Sequence, residues 1–292
     1  MANSSEARWI EIKLQVLPFY LEQLSAFIFA TGAQGIKEEE NGFKIYYDGK
    51  NWSPETYYLL LKELQRVVPD FDASRMAVQV KKNEDWLQNW KKNFKPFHLT
   101  KKLVIQPHWE NYRKQPGETV VTIAPKMAFG TGHHESTQLC LLLIDFFLKF
   151  GMRVLDVGSG SGILSVYTRK MGAAKVLGID NDPISIENAY ENLALNGIQD
   201  GVEFKLADAH DFKGSHFDLV MANINRNILI EIAETLTNAT RKGGILILSG
   251  ILITDRQKIL DAFEPIGFDL AKEVTKNEWI GLALKKKAGK NA

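Results

Sequence analysis

The sequence predicts an α/β fold, a doubly wound, mostly parallel sheet of seven strands preceded by a small α+β domain. Residues 154–165 carry the first observation: an apolar run breaks at Gly158, Gly160 and Gly162 and resumes as a helical pattern, which reads as strand, tight turn and helix. A second apolar run ends in Asp180, 22 residues beyond Gly158, where a nucleotide-binding βαβ unit carries the carboxylate that grips ribose hydroxyls. From there short apolar runs alternate with helical patterns, as crossover connections between parallel strands require.

Composition sets the outer bounds. With 292 residues, 45% hydrophobic and 24% charged, the chain has room for two domains and a sizeable core. A formal charge of +1 gives no overall reason for tight nucleic-acid binding, and Lys285, Lys286, Lys287 and Lys290 read as a solvated end. Cys140 is the single cysteine, so no internal disulfide forms. The first residues lack the basic and apolar segments of a signal peptide, and the apolar run 139–148 is too short to span a membrane and contains Asp145. The expectation is a cytoplasmic protein with no membrane partner and no direct nucleic-acid binding.

Residues 1–82 read as the small domain. Residues 9–17 alternate as a half-buried strand that ends at Pro18, and a helical pattern over 19–31 stops at Gly32. Runs 34–39 and 42–47 flank Asn41-Gly42, a hairpin signal. Ser53 caps and Pro54 opens a helix with the apolar face Tyr57, Leu60, Leu61 and Leu64, and residues 77–80 add a strand. Residues 83–95 form a linker helix that presents Trp86 and Trp90 on one face.

The larger domain spans 96–292. Leu103-Val104-Ile105 and Val120-Val121-Thr122-Ile123 are expected to pair as a hairpin around Gln115-Pro116-Gly117-Glu118. A glycine-rich loop containing Phe129 and Gly130 then leads into a helix over 138–149 and is suited to contact a ligand's polar groups. His133 and His134 do not make a zinc helix, because Gln138 stands where a second ligand would be needed, so no metal is expected; Cys140 reads as a core residue. Strands follow at 154–157, 175–180, 202–206, 217–222, 244–248, 268–274 and 279–284, with helices at 162–171, from Asp182-Pro183 to Leu195, at 224–241 and at 255–263. Gly158, Asp180, Asp208 and Asn223 fall at strand ends, where a doubly wound sheet binds its ligand.

A dinucleotide fingerprint would place glycine or alanine at 163, but Ile163 stands there, which weakens a pyrophosphate reading. The form Asp156-Val157-Gly158-Ser159-Gly160-Ser161-Gly162 resembles the first motif of class I S-adenosylmethionine methyltransferases. Added to it, Ala128-Phe129-Gly130-Thr131-Gly132-His133-His134-Glu135-Ser136-Thr137, Gly178-Ile179-Asp180-Asn181-Asp182-Pro183, Ala222-Asn223-Ile224, Ser249-Gly250-Ile251-Leu252 and the stretch from Asp85 to Phe94 resemble the ribosomal protein L-11 methyltransferase family, PrmA. The resemblance implies a Rossmann-like methyltransferase sheet, a small N-terminal substrate-recognition domain, S-adenosyl-L-methionine as cofactor, and methylation of lysine side chains and the N-terminal amine of ribosomal protein L-11. It also implies that the cofactor is held at Thr137, Gly158, Asp180 and Asn223.

Residue chemistry adds roles to that list. Asp180 is expected to accept from both ribose hydroxyls, while Gly158 and Gly160 let the backbone approach the cofactor, with Phe129 and Gly130 closing over it. Asn223 would orient the acceptor amine without charging it. Asp208 either reaches the adenine amino group or sits in a surface turn, and His133 and His134 either position the loop or serve as a base. The remaining alternatives are a class I methyltransferase of another protein, RNA or a small molecule, and a non-enzymatic cofactor-binding protein associated with the ribosome.

Overall fold

Four antiparallel strands begin the chain, in the order β2-β3-β1-β4: β1 (Arg8–Leu14), β2 (Gly35–Glu39), β3 (Gly42–Asp48) and β4 (Met76–Lys82). The computed structural model describes residues 8–17, 20–39, 42–82, 94–125 and 130–288. Trp86, Trp90, Phe129 and Asn41 lie outside them, as does most of the expected linker helix. The period-two pattern of β1 and β3 puts Ile10, Ile12, Leu14, Phe43, Ile45 and Tyr47 on one face. Helices α1 (Leu21–Ala30) and α2 (Pro54–Val67) supply Leu24, Ile28, Leu60 and Leu64 to that core. Ser53 caps α2 by accepting from the Thr56 N–H at 3.2 Å, and the buried Tyr47 hydroxyl shares a 2.7 Å hydrogen bond with Thr31 Oγ1.

Chain contacts divide the protein into two units, Met1–Phe94 and Lys95–Ala292. The second begins with a three-stranded sheet of β5 (Phe97–His98), β6 (Leu103–Pro107) and β7 (Thr119–Ile123). β6 and β7 run parallel, which corrects the expected hairpin. A parallel pair needs a crossover, and residues 108–118 provide it. The Tyr112 hydroxyl and the Gln115 N–H both donate to Glu118, at 3.0 and 2.7 Å, so Pro116 and Gly117 turn the chain inside a longer connection.

The chain then runs through α3 (Glu135–Phe147), β8 (Arg153–Val157), α4 (Ile163–Lys170), β9 (Lys175–Asp180), α5 (Pro183–Leu195), β10 (Val202–Leu206) and β11 (Phe217–Asn223). It continues through α6 (Arg226–Glu231), α7 (Ala233–Ala239), β12 (Thr240–Leu252), α8 (Arg256–Phe263), β13 (Phe268–Lys276) and β14 (Trp279–Lys286). The seven strands order as β10-β9-β8-β11-β12-β14-β13, parallel through β12, with β14 antiparallel to both neighbours. The order reverses between β8 and β11, so the crevice lies at the carboxyl ends of β8, β9 and β11. Val154 packs into the core under α3, α4 and α5, whereas Leu155 and Val157 join the core under α6, α7 and α8.

Residues 224–241 do not form the single expected helix. α6 and α7 break at Ile232, and β12 starts at Thr240, four residues before the strand the sequence suggested. Thr240 pairs with Phe217, and Gly243, with φ +73°, lets the strand shift register before Ile245. At the β10 edge of the sheet the Tyr190 hydroxyl donates to the Phe204 carbonyl at 3.0 Å and accepts its N–H at 3.1 Å, closing an open stretch of that strand. Among the described residues no helix is long and apolar enough to cross a membrane.

Candidate cofactor and acceptor site

Glycine spacing builds the first wall. Gly158, Gly160 and Gly162 all take positive φ, and the Gly158 and Ser159 N–H groups donate to the Ile179 carbonyl at 2.9 and 3.0 Å, which fastens the turn to β9. Gly162 caps α4, and a Cβ there would lie 2.8 Å from the Phe204 ring and 3.0 Å from Ala189 Cβ. It therefore permits the close packing of helix and strand that a dinucleotide fold assigns to position 163, one residue later.

Asp180, at the end of β9, is half-buried. Its Oδ2 accepts from the Gly160 N–H at 2.8 Å and its Oδ1 from the Asp182 N–H at 3.0 Å. Asp156 is fully buried beneath the turn; Ser165 Oγ donates to its Oδ2 at 2.7 Å, and Oδ1 has no hydrogen-bond partner among the described residues. Burial pushes its carboxyl up to about 7, with the nearby Asp180 charge adding to the rise and Ser165 opposing it. Asp156 braces the turn from below and does not line the crevice.

The crevice has two lobes. The larger, about 550 Å³, is lined by Gly158, Gly160 and Asp180 at one end and by His134, Asn223, Asn225, Gly250 and Trp279 at the other. Sheet order sets this polarity, since β9 and β8 lie on one side of β11 and β12 and β14 on the other. Ile224 lines both lobes. The smaller lobe, about 240 Å³, is lined by Ile179, Asp180, Ala207, Asp208, His210, Ile224 and Ile228 among others. Asp208 thus lies on a wall of the crevice while also capping the short turn 209–211.

Of the residues singled out in the sequence, Gly158, Gly160, Asp180 and Asn223 meet in the larger lobe. Thr137 is fully buried behind Asn223, whose Nδ2 donates to Thr137 Oγ1 at 3.3 Å. Asn223 Oδ1 is buried with no hydrogen-bond partner among the described residues and stands at the lobe's wall. Gly130 packs on the turn: its carbonyl accepts from Ser161 Oγ at 2.6 Å, and a Cβ there would lie 2.8 Å from that oxygen. His134 Nδ1 accepts from the Ser136 N–H at 3.2 Å as the cap of α3, which leaves the proton of the neutral ring on Nε2. Its ring meets Trp279 edge-on at 4.7 Å. The His133 ring lies 4.4 Å from Phe97, and burial lowers its pKa.

Trp279, Ser185 and His210 were not singled out from the sequence. No local motif marks Trp279; only the insertion of β14 beside β12 carries it to the site. The donor set fits a nucleoside bearing an amino acid: a carboxylate for vicinal hydroxyls, a glycine turn open to close approach, a small lobe with an acidic wall, and an unpaired amide oxygen beyond them. No group of three or more His, Cys, Asp or Glu residues that could hold a metal occurs among the described residues.

Comparison with known proteins follows this geometry. A family model described as "Ribosomal protein L11 methyltransferase (PrmA)" matches residues 8–287. The ribosomal protein L11 methyltransferase of Acetivibrio thermocellus is 32% identical, over 95% of this chain and 98% of its own length. That of an Exiguobacterium species is 31% identical, over 96% and 99%. The crystal structure of a ribosomal protein L11 methylase from Lactobacillus delbrueckii subsp. bulgaricus is 34% identical with a TM-score of 0.62, covering 66% of this chain and 100% of that one.

Proposed function

Because this chain belongs to the ribosomal protein L11 methyltransferase (PrmA) family, we propose that it transfers methyl groups from S-adenosyl-L-methionine to lysine side-chain and N-terminal amines of ribosomal protein L11. The observation that carries the reading is the convergence of Asp180, the glycine turn and the buried, unpaired Asn223 Oδ1 on one crevice. When bound, the cofactor supplies an electrophilic methyl group on a sulfonium.

The residues divide the work along the crevice. Asp180 binds the ribose hydroxyls, and Gly158 and Gly160 give backbone access, with Gly130 packed on the turn. Thr137 fixes the Asn223 amide by accepting from its Nδ2, so Oδ1 faces the acceptor as a neutral hydrogen-bond acceptor. An amine must be deprotonated before it attacks, which at pH 7 costs roughly 4.6 kcal/mol for an ordinary lysine and about 1 kcal/mol for an α-amine. Among the described residues, those at the acceptor end, His134, Ser136, Asn223, Ile224, Asn225, Gly250 and Trp279, include no carboxylate that would hold the amine protonated in an ion pair. Desolvation against Trp279 and Ile224, with alignment by Asn223, favours the neutral nucleophile.

Residues 1–82 serve in this reading as the unit that recognises the protein substrate, in a cytoplasmic enzyme that needs neither membrane nor direct nucleic-acid contact. The test is transfer of radiolabelled methyl groups by the purified chain to purified L11, followed by mass spectrometry of the labelled residues. Label on L11 amines that disappears on deleting residues 1–82, with cofactor binding retained, supports it. Cofactor binding without label on L11 overturns it.

A further inference from the structure

The smaller lobe is bounded by two elements that a single side chain joins. Asp208 and His210 lie in the turn after β10, and Ile228 lies on α6, the helix that ends in Glu231. His210 Nδ1 sits 2.7 Å from Asp208 Oδ1, and Nε2 sits 3.5 Å from Glu231 Oε2. The His210 N–H also donates to Asp208 Oδ1 at 2.8 Å. With Oδ1 so occupied, Oδ2 keeps its lone pairs for a donor in the lobe.

We propose that His210 is a positioning residue for the cofactor's purine: its imidazole bridges Asp208 to Glu231, ties the two walls of the smaller lobe together, and holds the Asp208 carboxylate toward the exocyclic amino group. This rests on the reading above, in which that lobe receives adenine. The imidazolium has two N–H donors and satisfies both carboxylates; the neutral ring has one and must release an end of the bridge. The charged groups around the ring are Asp208 in its own turn, with Asp211 following it, Glu231 on α6, and Asp180 across the lobe. The hydrogen bond that the imidazole donates to Asp208 holds it above the usual histidine range, so the bridge is present below that raised value and opens as pH rises through it. Asp208 is correspondingly lowered, chiefly by the His210 backbone N–H, and stays ionised throughout.

The probe is S-adenosylhomocysteine, titrated calorimetrically into the full chain from about pH 6 to about pH 9. Wild type is expected to bind about three- to fivefold more weakly at the alkaline end, the scale of an exposed charge pair. H210A is expected to bind at that weaker level throughout, and H210R, charged at every pH, to bind tightly throughout. The decisive measurement is the double variant D208A/H210A, expected to bind no more weakly than D208A, because His210 acts through Asp208. Wild-type affinity in H210A at the acid end, or additive losses in the double variant, would overturn the proposal. If wild type itself does not bind S-adenosylhomocysteine, it is the methyltransferase reading that falls.

Discussion

The Gly160 N–H donates to Asp180 Oδ2 at 2.8 Å, so the turn after β8 and the acid at the end of β9 are one hydrogen-bonded unit. The Asp182 N–H occupies Oδ1 in the same way. Two backbone donors thereby fix the carboxylate's rotamer before any ligand arrives. A carboxylate offers about four lone-pair sites, and the two that remain, one on each oxygen, suit the vicinal hydroxyls of a ribose.

Replacement of Asp180 should therefore act twice, removing the ribose acceptors and releasing the turn. D180A is predicted to weaken S-adenosylhomocysteine binding by about a hundredfold or more, from two lost charge-assisted hydrogen bonds. D180N should lose nearly as much, because its amide cannot accept from both Gly160 and Asp182 while also accepting from two hydroxyls. Calorimetry on both variants decides it; an affinity within a few-fold of wild type would remove Asp180 from the site.

Asp156 makes stability depend on pH with an unusual sign. Its folded-state value of about 7 lies above the ordinary carboxylate range, because burial disfavours its charge. A raised acid binds its proton more tightly in the folded state, so its unfavourable contribution is absent below about pH 4, grows as pH rises, and is complete above about pH 7. D156N keeps an acceptor for Ser165 without the charge. It is predicted to be more stable than wild type above neutrality and to flatten the loss between about pH 4 and about pH 7, measured by urea unfolding across that range. A wild-type profile that D156N leaves unchanged would show that Asp156 carries no such burden.

Local chemistry made much of this legible. Apolar period, caps and glycine spacing located β8, β9 and the turn between them, and Ser53 and Asp182 stand at the helix starts where their side chains were expected to cap. The exceptions share a cause: they depend on pairing between distant segments. The expected hairpin over 103–123 became a parallel pair because residues 108–118 could be folded around Glu118, which no periodicity reveals. The strand expected from residue 244 begins earlier, since Thr240 already pairs with Phe217. Gly130, expected at the ligand from its place in a glycine-rich loop, also accepts from Ser161 Oγ, 31 residues away. Trp279 reaches the crevice through sheet order alone.

Asparagines on α5 show the same long-range logic. Asn192 Oδ1 accepts from the Ala124 N–H at 2.7 Å, and its Nδ2 donates to the Ser161 carbonyl at 2.7 Å. One turn on, Asn196 accepts from the Thr122 N–H and donates to its carbonyl, at 2.9 and 2.6 Å. The helix thus completes the free edge of β7 and reaches the glycine turn from behind. N192L would leave a buried N–H and a buried carbonyl without partners and is predicted to cost about 2–4 kcal/mol in urea unfolding. The exposed position Asn181 offers a control: N181L should change stability by less than about 0.5 kcal/mol. A loss at Asn192 no larger than that would mean that the amide does not bind the turn to β7.

The last prediction separates the acceptor end from the nucleotide end. Gly250, in β12, has φ +79°, and a Cβ there would lie 2.4 Å from the Ile224 carbonyl oxygen. The atoms such a Cβ would meet are all Ile224 backbone, so G250A must move the segment after Asn223 or distort β12. Asp180 lies on the other side of β11, and the glycine turn meets the moved segment through the side chain of Ile224, whose Cγ2 packs on Gly158. Because a displacement of about 1 Å in a reacting geometry can cost about a hundredfold in rate, methyl transfer to L11 is predicted to fall by about ten- to a hundredfold. Affinity for S-adenosylhomocysteine should change by less than about threefold, since Ile224 offers the smaller lobe only apolar contact and each such contact is worth little beside the ribose hydrogen bonds. Single-turnover rates and calorimetry on the same preparation measure the two quantities independently. Parallel losses in rate and affinity would show that the segment after Asn223 serves the nucleotide; a rate loss alone would show that the close approach of Gly250 sets where the amine stands.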